Sequence, residues 1–469
     1  MAIDETSQPI ELLLTVSRED DATLGAQIED QLRCAIREGS VKRGARVPST
    51  RDLARQLGVS RRVVVDAYGQ LAAEGYFSLR QGARPRVSDA AAVCGGGAAP
   101  TRSPRPTPRF DFRPSVPDVS SFPRTAWLRA LRKAIATISD ADLQYGDTAG
   151  VDALRVALAS YLGRVRGVVA DPSRVVVTSG YTQGLAIVCH ALASAGAKRV
   201  TLEDPANPEQ RQIAERAGLE VVLIPVDDDG IRIDALERAS PDAVVVTPAH
   251  QHPTGAVLSG ERRAALLGWL RARDAFAVED DYDAEYRYDR AAVGALQGLE
   301  PDRVVYAGSA SKTLAPALRL GWLVVPARLL DHVHQEKLVA DQGTARIEQQ
   351  AFAHFLERGE LDRHLRRMRG LYRARRDALV QALAAELPEA TVRGIAAGLH
   401  VTVELAGGNE QAIAEEAARR RITFNTMRDY RGDGGPGPAV LMLGYGQLTE
   451  PAIRAGVREL ADAVRAARG

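Results

Sequence analysis

The sequence predicts an α/β protein. A mainly parallel sheet covered by helices is followed by a smaller α+β part and preceded by a small helical domain that ends in a β-ribbon. Three observations carry this. From about residue 174 to 325, short apolar runs alternate with helical stretches, the pattern of a parallel sheet covered on both faces. Between Ala90 and Pro117 the chain turns to Gly, Pro, Ala and Arg without a hydrophobic period, which reads as a linker. Before that break, short helical patterns close on an alternating stretch. The boundaries follow: residues 10–88 for the small domain, 89–118 for the linker and 119–469 for the large domain. Within the last, the sheet occupies about 150–330 and the smaller part about 360–469.

In the small domain, Ile28, Leu32, Ala35 and Ile36 recur at helical spacing. A turn follows over Gly39–Pro48. Ser49 or Thr50 is placed to cap a second short helix with Leu53, Ala54 and Leu57 on its inner face, and Gly58-Val59 ends it. Ser60 caps a third helix to about Glu74, with Val63, Val64, Ala67, Tyr68 and Leu71 inward, and Gly75 stops it. The stretch from Tyr76 to Ser88 alternates around Gln81-Gly82, which predicts the ribbon. Two helices joined by a Gly-Val-Ser turn and followed by such a wing make a winged helix-turn-helix. The second helix of such a pair enters the major groove with its N-terminal residues on base edges, here Ser60, Arg61 and Arg62. Amides at that end also hold phosphates.

The whole chain is close to neutral, with 61 Lys+Arg against 60 Asp+Glu, which excludes a uniformly basic coat or an acidic tail. Between Gln31 and Ser88, however, 12 basic residues stand against 4 acidic ones. A charge run alone reads more simply as a solvated face; beside this helix pattern it reads as a DNA-binding face. The string VPSTRDLARQLGVSRRVVVDAYGQLAAEGYFSLRQG resembles the winged-helix domain of GntR-type bacterial repressors over about Leu24–Val87. The resemblance implies DNA contacts from Arg51, Arg61 and Arg62, together with Arg80 and Arg84. That family's wing usually reads Gly-Ser-Gly-Thr where this chain has Gly82-Ala83-Arg84-Pro85, a departure that keeps the fold and puts the usual wing contacts to DNA in question.

In the large domain, apolar runs predict strands at 174–178, 199–203, 220–226, 243–247, 276–280, 303–308 and 320–325. A long Arg-rich helix from about Glu360 and short strands at 400–405 and 439–443 follow. Four motifs fall at C-terminal strand ends, where open α/β sheets bind ligands. In GSASKTLAPALRLGW (Gly308–Trp322), Lys312 lies just past a strand end between small hydroxyl residues, which suits a Schiff-base lysine. Ser309 and Ser311 are placed to hold a phosphate, and Arg319 returns two turns later if the segment is helical. In AVEDDYDAEYRY (Ala277–Tyr288), Asp280 suits a carboxylate that keeps a pyridine nitrogen protonated and the ring an electron sink, with Tyr282 on the ring hydroxyl oxygen. A solvated acidic turn or a metal site is the competing reading of these acids taken alone. In VVVTSGYTQG (Val175–Gly184), a strand ends and a helix begins, so Gly180, Tyr181 and Thr182 are placed for a phosphate. In TPAHQHPTG (Thr247–Gly255), a strand runs into a Pro-Thr-Gly turn.

In this order and spacing the four motifs resemble fold-type I pyridoxal-phosphate (PLP) aminotransferases over roughly Phe122–Arg468. With the winged helix and the linker, the chain is similar to the MocR/GabR family of bacterial regulators. YGDTAGVDALRVALASYL, VVVTSGYTQGL, VEDDYDAEYRY and SASKTLAPALRLGW each follow that family's pattern. The resemblance implies pyridoxal 5'-phosphate as cofactor, with its Schiff base on Lys312, Asp280 on the pyridine nitrogen and Tyr282 on the ring oxygen. Gly180, Tyr181, Thr182, Ser309 and Arg319 would hold the phosphate. His252 stands where enzymes of this fold carry Asn in an Asn-Pro-Thr-Gly motif, and either touches the ring or is a buried, satisfied histidine. His250 and Gln251 belong to the regulator pattern. The resemblance also implies a homodimer paired through aminotransferase-like domains, an operator with two half-sites, and a small-molecule effector: an amine, an amino acid or PLP itself, with a possible tie to vitamin B6 metabolism.

The departures bear on the ligand. The family's Asp-Pro-Gly-Tyr-Pro is Asp204-Pro205-Ala206-Asn207-Pro208 here, so Asn207 replaces the aromatic expected near the cofactor. Glu209 stands where GABA-responsive members use an arginine for the ligand carboxylate. The strand that carries a substrate-carboxylate arginine in many aminotransferases reads Pro438-Ala439-Val440-Leu441-Met442 and has none, although Arg428 and Arg431 lie nearby. A bidentate arginine is the natural clamp for a carboxylate. Its absence argues against efficient transamination of ordinary amino acids and against GABA as effector. It favours a DNA-binding transcriptional regulator over the alternative, an active PLP-dependent aminotransferase with an appended DNA-binding domain. Cys34, Cys94 and Cys189 are too widely spaced for a disulfide framework or a metal knuckle. No basic region precedes the first apolar stretch and no run of about 20 apolar residues occurs, so the expectation is a cytoplasmic protein with no membrane span.

Overall fold

The computed structural model describes residues 14–79, 84–88, 107–288, 294–432 and 437–468. The chain divides into two compact units, Met1–Arg105 and Pro106–Gly469.

The first unit holds α1 (Leu24–Arg37), α2 (Thr50–Leu57) and α3 (Arg61–Ala73), then β1 (Phe77–Ser78) and β2 (Arg86–Val87). Each helix starts on a side-chain cap: Thr23 accepts from the Ala26 amide, Ser49 from Asp52 and Ser60 from Val63. Gly58 ends α2 at φ 65°, a conformation that glycine adopts without strain. Ile28, Leu32, Ile36, Leu53, Val64, Tyr68 and Leu71 are buried together with Phe77 and Val87 of the ribbon. β1 and β2 pair antiparallel with Phe77 opposite Val87, so the wing forms as expected. Its tip, residues 80–83, lies outside the described residues.

The second unit opens on β3 (Phe110–Asp111), α4 (Arg124–Thr137) and α5 (Asp152–Arg166). Alternation follows: β4 (Val175–Thr178), α6 (Tyr181–Ser194), β5 (Arg199–Asp204), α7 (Pro208–Arg216), β6 (Glu220–Asp227), β7 (Gly230–Ile231) and α8 (Ile233–Ala239). Next come β8 (Ala243–Val246), α9 (Gly260–Arg273), β9 (Phe276–Asp280), β10 (Val304–Ser309), α10 (Ala310–Thr313), β11 (Gly321–Val324), α11 (Ala327–Asp341) and α12 (Arg346–Glu357). The sheet order is β4-β11-β10-β9-β8-β5-β6-β7. β10, β9, β8, β5 and β6 are parallel. β11 is antiparallel to both neighbours. One face packs on α6 and α11 through Leu185, Val188, Leu192, Leu329 and Val333. The other packs on α9 through Leu266 and Leu270 and on α5 through Leu154 and Leu158. Because β11 runs backwards, the residues before it reach the same sheet edge as the C-terminal ends of β4, β9 and β10.

The smaller part holds α13 (Glu360–Glu386), β12 (Thr391–Arg393), β13 (His400–Glu404), α14 (Glu410–Arg419), β14 (Ile422–Thr423), β15 (Asn425–Thr426), β16 (Val440–Gly444) and α15 (Glu450–Arg468). β12-β13-β16-β15 form an antiparallel sheet. Among the described residues, no helix is long and apolar enough to cross a membrane.

Two expectations need correction. The linker of 89–118 ends earlier, because residues from 107 onward pack on the second unit. Phe110 pairs with Ile422, and Phe110 and Phe112 are buried. Phe112 lies so close to α15 that a Cβ at Gly456 would stand 2.7 Å from its ring. Burying two phenyl rings outweighs the linker-like composition around them. The second correction concerns the path from Lys312 to Arg319, which is not a two-turn helix. α10 stops at Thr313, a 3-10 turn covers Pro316–Leu318, and Arg319 is left-handed at φ 50°.

Candidate functional site

In the second unit, a cavity of about 350 Å³ opens at the C-terminal edge of the large sheet. Tyr181, Thr182, His252, Asp280, Tyr282, Ser309, Ser311, Lys312 and Arg319 all line it. Gly180 lies just behind, where a Cβ would stand 3.0 Å from the Arg319 guanidinium.

One end suits a phosphate. α6 starts after Gly180, which has φ 88° and provides no side-chain cap, so the first-turn amides lack helical partners. Such amides and the helix dipole favour an anion. Arg319 donates to the Ser179 carbonyl, which stations its charge beside that end. A Cβ at Gly321 would stand 2.8 Å from the Gly180 backbone, so this close crossing requires glycine. Ser309 accepts from the Ser311 amide at 2.9 Å and caps α10.

The other end suits a pyridine ring. Asp280 ends β9 and is 8% exposed. The Gln210 amide donates to it at 3.3 Å, and the Tyr181 hydroxyl bonds it as well. No ion pair reaches it among the described residues, and burial pushes its carboxyl up to about 8. Its neighbours differ. Asp281 pairs with Arg166 at 2.7 Å and accepts from the Tyr306 hydroxyl at 2.7 Å. Asp283 lies 3.0 Å from His250 Nδ1, and Glu279 accepts amides from Leu296 and Gln297. The acids therefore form neither a solvated turn nor a shared cation site. Each is committed separately, and Asp280 is the one turned to the cavity.

Lys312 is half-buried, and burial lowers the pKa of its amine against the opposing pull of Asp280 and Asp283. A larger neutral fraction makes it a better nucleophile. The Tyr282 hydroxyl lies 3.1 Å from His250 Nδ1. His250 itself is buried and satisfied. His252 stands edge-on to Tyr282, His400 and Tyr430, with ring centroids 5.7, 5.3 and 5.1 Å away. Burial, and then the charge of Lys312, bring its pKa down to about 3, so it is neutral. Its Nδ1 is buried without a hydrogen-bond partner. An unpaired carboxylate, an orphaned imidazole nitrogen, an open helix N-terminus and a cationic arginine are what a phosphorylated pyridine with a ring oxygen would satisfy. The residues present fit pyridoxal 5'-phosphate.

The geometry also differs from the residue reading in places. The Tyr181 hydroxyl is committed to Asp280 and to Gln210, at 2.9 Å from the latter, so only its backbone amide remains for a phosphate. Asn207 accepts from the Glu209 amide at 3.0 Å and is the N-cap of α7, a role that Asn before Pro signals. Glu203, Gln210, Tyr430, Pro114 and Ser115 line the cavity too and carry no local motif. The Phe110 and Phe112 pair was the available signal that Pro114 and Ser115 belong to the folded unit.

In the first unit, Arg51, Arg61, Arg62 and Arg84 are exposed, with Ser60 at the start of α3. Arg62 lies 3.7 Å from Asp66, one turn on. Arg80 lies outside the described residues.

Comparison with known proteins agrees with this division. Residues 24–87 match bacterial regulatory proteins of the gntR family, and residues 116–426 match aminotransferase class I and II. The large unit resembles the α-aminoadipate aminotransferase LysN of Thermus thermophilus (TM-score 0.69, 27% identity, covering 76% of this chain and 92% of that one). It also resembles a multiple-substrate aminotransferase of Thermococcus profundus (TM-score 0.70, 25% identity, 76% and 92%). The fold and site thus define a DNA-binding winged helix joined to an aminotransferase-like PLP site. Over nearly the whole chain the similarity is to regulators. One is the HTH-type pyridoxine biosynthesis transcriptional regulator PdxR of Corynebacterium glutamicum (31% identity; 97% of this chain, 99% of the relative). Another is the probable rhizopine catabolism regulatory protein MocR of Rhizobium meliloti (32%; 96% and 96%). The chain belongs to the MocR/GabR family of transcriptional regulators.

Proposed function

We propose that this regulator binds an operator through its winged helix and that Lys312 holds the cofactor at which an amine-bearing effector, or PLP as its own signal, is sensed. The observation that carries the reading is the buried, unpaired Asp280 on the same cavity as the half-buried Lys312. When bound, PLP supplies an aldehyde that condenses with primary amines and a ring that withdraws electrons. Lys312 offers it an amine whose pKa burial lowers. Asp280 would keep a proton on the ring nitrogen, Tyr282 would bond the ring oxygen with His252 beside it, and the α6 amides with Arg319 would hold the phosphate. Ser60, Arg61 and Arg62 address the DNA, with Arg51 and Arg84 on phosphates. Pairing of two copies is supported by exposed apolar side chains on the second unit: Leu143 (60% exposed), Tyr145 (89%) and Val339 (75%).

The test is the visible absorption of the purified protein while PLP is titrated in, for the unaltered chain and for Lys312→Ala. The unaltered chain should carry or gain the band of PLP condensed with a lysine, and the variant should not. The same band in Lys312→Ala would overturn the assignment. A band present from the start points to an amine or amino-acid effector; one that grows with added PLP points to PLP itself. Sustained keto-acid production from a panel of amino donors would overturn the regulator reading in favour of an enzyme.

A further inference from the structure

We propose that the effector's distal group is a second ammonium, so that the cavity selects an aliphatic diamine over an amino acid, with Glu209 as the residue that reads it. The inference rests on the PLP reading of the cavity and concerns the wall that PLP leaves free. Among the described residues, Lys312 and Arg319 are the only basic side chains that line the cavity apart from neutral His252, and both belong to the cofactor end. The remaining ionisable groups on the wall besides Asp280 and the tyrosines are Glu203 and Glu209.

Glu209 is exposed and pairs with no base among the described residues. It sits in the first turn of α7, whose N-terminus is already matched by the Asn207 cap and by the Glu209 carboxylate itself. That helix end therefore offers no positive site to a ligand carboxylate. Tyr430 lines the same cavity, and its hydroxyl feels the charge of Glu209. An aromatic face beside a carboxylate is a favourable setting for an alkylammonium. Glu203, on the same wall, offers an acceptor rather than a clamp for a carboxylate. It is 5% exposed, and its three hydrogen bonds, from the Thr247 amide (3.1 Å), the Thr247 hydroxyl (2.6 Å) and Gln251 (3.3 Å), all go to one oxygen. No base offsets it. A ligand carboxylate entering here meets the like charge of Glu209 and, among the described residues, no clamp; an ammonium meets an opposite charge. Selection thus comes from repulsion as much as attraction.

The experiment uses the full chain loaded with PLP and freed of excess. Three ligands with the same four-carbon backbone are titrated: 1,4-diaminobutane, butylamine and 4-aminobutanoate. The visible band of the bound cofactor and the melting temperature are read. The diamine midpoint should lie roughly fivefold below that of butylamine, as a carboxylate–ammonium pair at an accessible rim predicts, with 4-aminobutanoate the weakest. In Glu209→Gln the ratio of diamine to butylamine midpoints should fall to about one, and Glu209→Arg should make 4-aminobutanoate the tightest. The ratio is taken within one preparation, so a general loss of affinity cancels. Equal midpoints, or 4-aminobutanoate tightest in the unaltered chain, overturn this proposal and leave the PLP reading standing. A chain that never shows the visible band overturns the PLP reading, and this proposal with it.

Discussion

Replacing Asp280 by Asn should change how the cofactor-free protein responds to pH. The folded carboxyl titrates at about 8 against an ordinary value of 3.8. Folding therefore favours its protonated form. The stability linked to this group is complete below about pH 3.8 and is lost progressively as pH rises through 8. One proton corresponds to ~1.4 kcal/mol per pH unit, so between pH 5.5 and 7.5 this group costs the cofactor-free chain roughly 3 kcal/mol. Asparagine keeps the shape and an acceptor for Gln210 and Tyr181 but does not titrate. Glu203 and Glu279, which burial also pushes up, titrate in both proteins and cancel in the difference. The assay is urea unfolding followed by tryptophan fluorescence, since Trp127, Trp269 and Trp322 all lie in the second unit. The stability of Asp280→Asn relative to the parent should grow by about 1.4 kcal/mol for each unit of rising pH. Saturating PLP should flatten the parent's slope, because a protonated ring nitrogen then neutralises the carboxylate. A difference independent of pH would show that burial does not hold the Asp280 carboxyl protonated.

Other consequences follow from the same geometry. Asp281→Asn removes the carboxylate that pairs with Arg166, which is 2% exposed, and should destabilise the second unit by about 3–5 kcal/mol in the same unfolding assay. A loss below about 1 kcal/mol would mean that the pair is hydrated. In the first unit, Arg51→Ala and Arg84→Ala should each weaken DNA binding and lower the slope of log affinity against log salt by about one, read by fluorescence anisotropy. An unchanged slope would place that side chain off the phosphates.

Much of the fold is legible in the chain because its signals are local. Near-continuous Val, Ile and Leu runs mark strands buried on both faces, and all seven runs read between residues 174 and 325 join one sheet. Ser49, Ser60, Gly58 and Gly75 mark helix ends for reasons of hydrogen bonding and φ that need no tertiary context. The motif residues share a cavity because a parallel sheet gathers its strand ends at one edge. Composition misleads where a few large side chains decide. Phe110 and Phe112 carry part of a proline-rich stretch into the core and bring Ser115 to the cavity wall. Spacing left open the path between Lys312 and Arg319, which a 3-10 turn and a left-handed residue make in place of a helix.

Sequence alone determined the two-part architecture, the strand and helix order, the family and the identity of Lys312, Asp280, Tyr282, His252 and Arg319 as site candidates. Each of these rests on residue type and short-range spacing. Only the tertiary structure decided which acid among Glu279, Asp280, Asp281 and Asp283 is unpaired, that the Tyr181 hydroxyl serves Asp280, and that Glu203, Gln210 and Tyr430 join the wall. Pairing and burial depend on what distant segments bring alongside. Arg166, His250 and Gln210 come from an earlier helix, a loop and a different helix, and no local pattern records that they meet the acids at the end of β9.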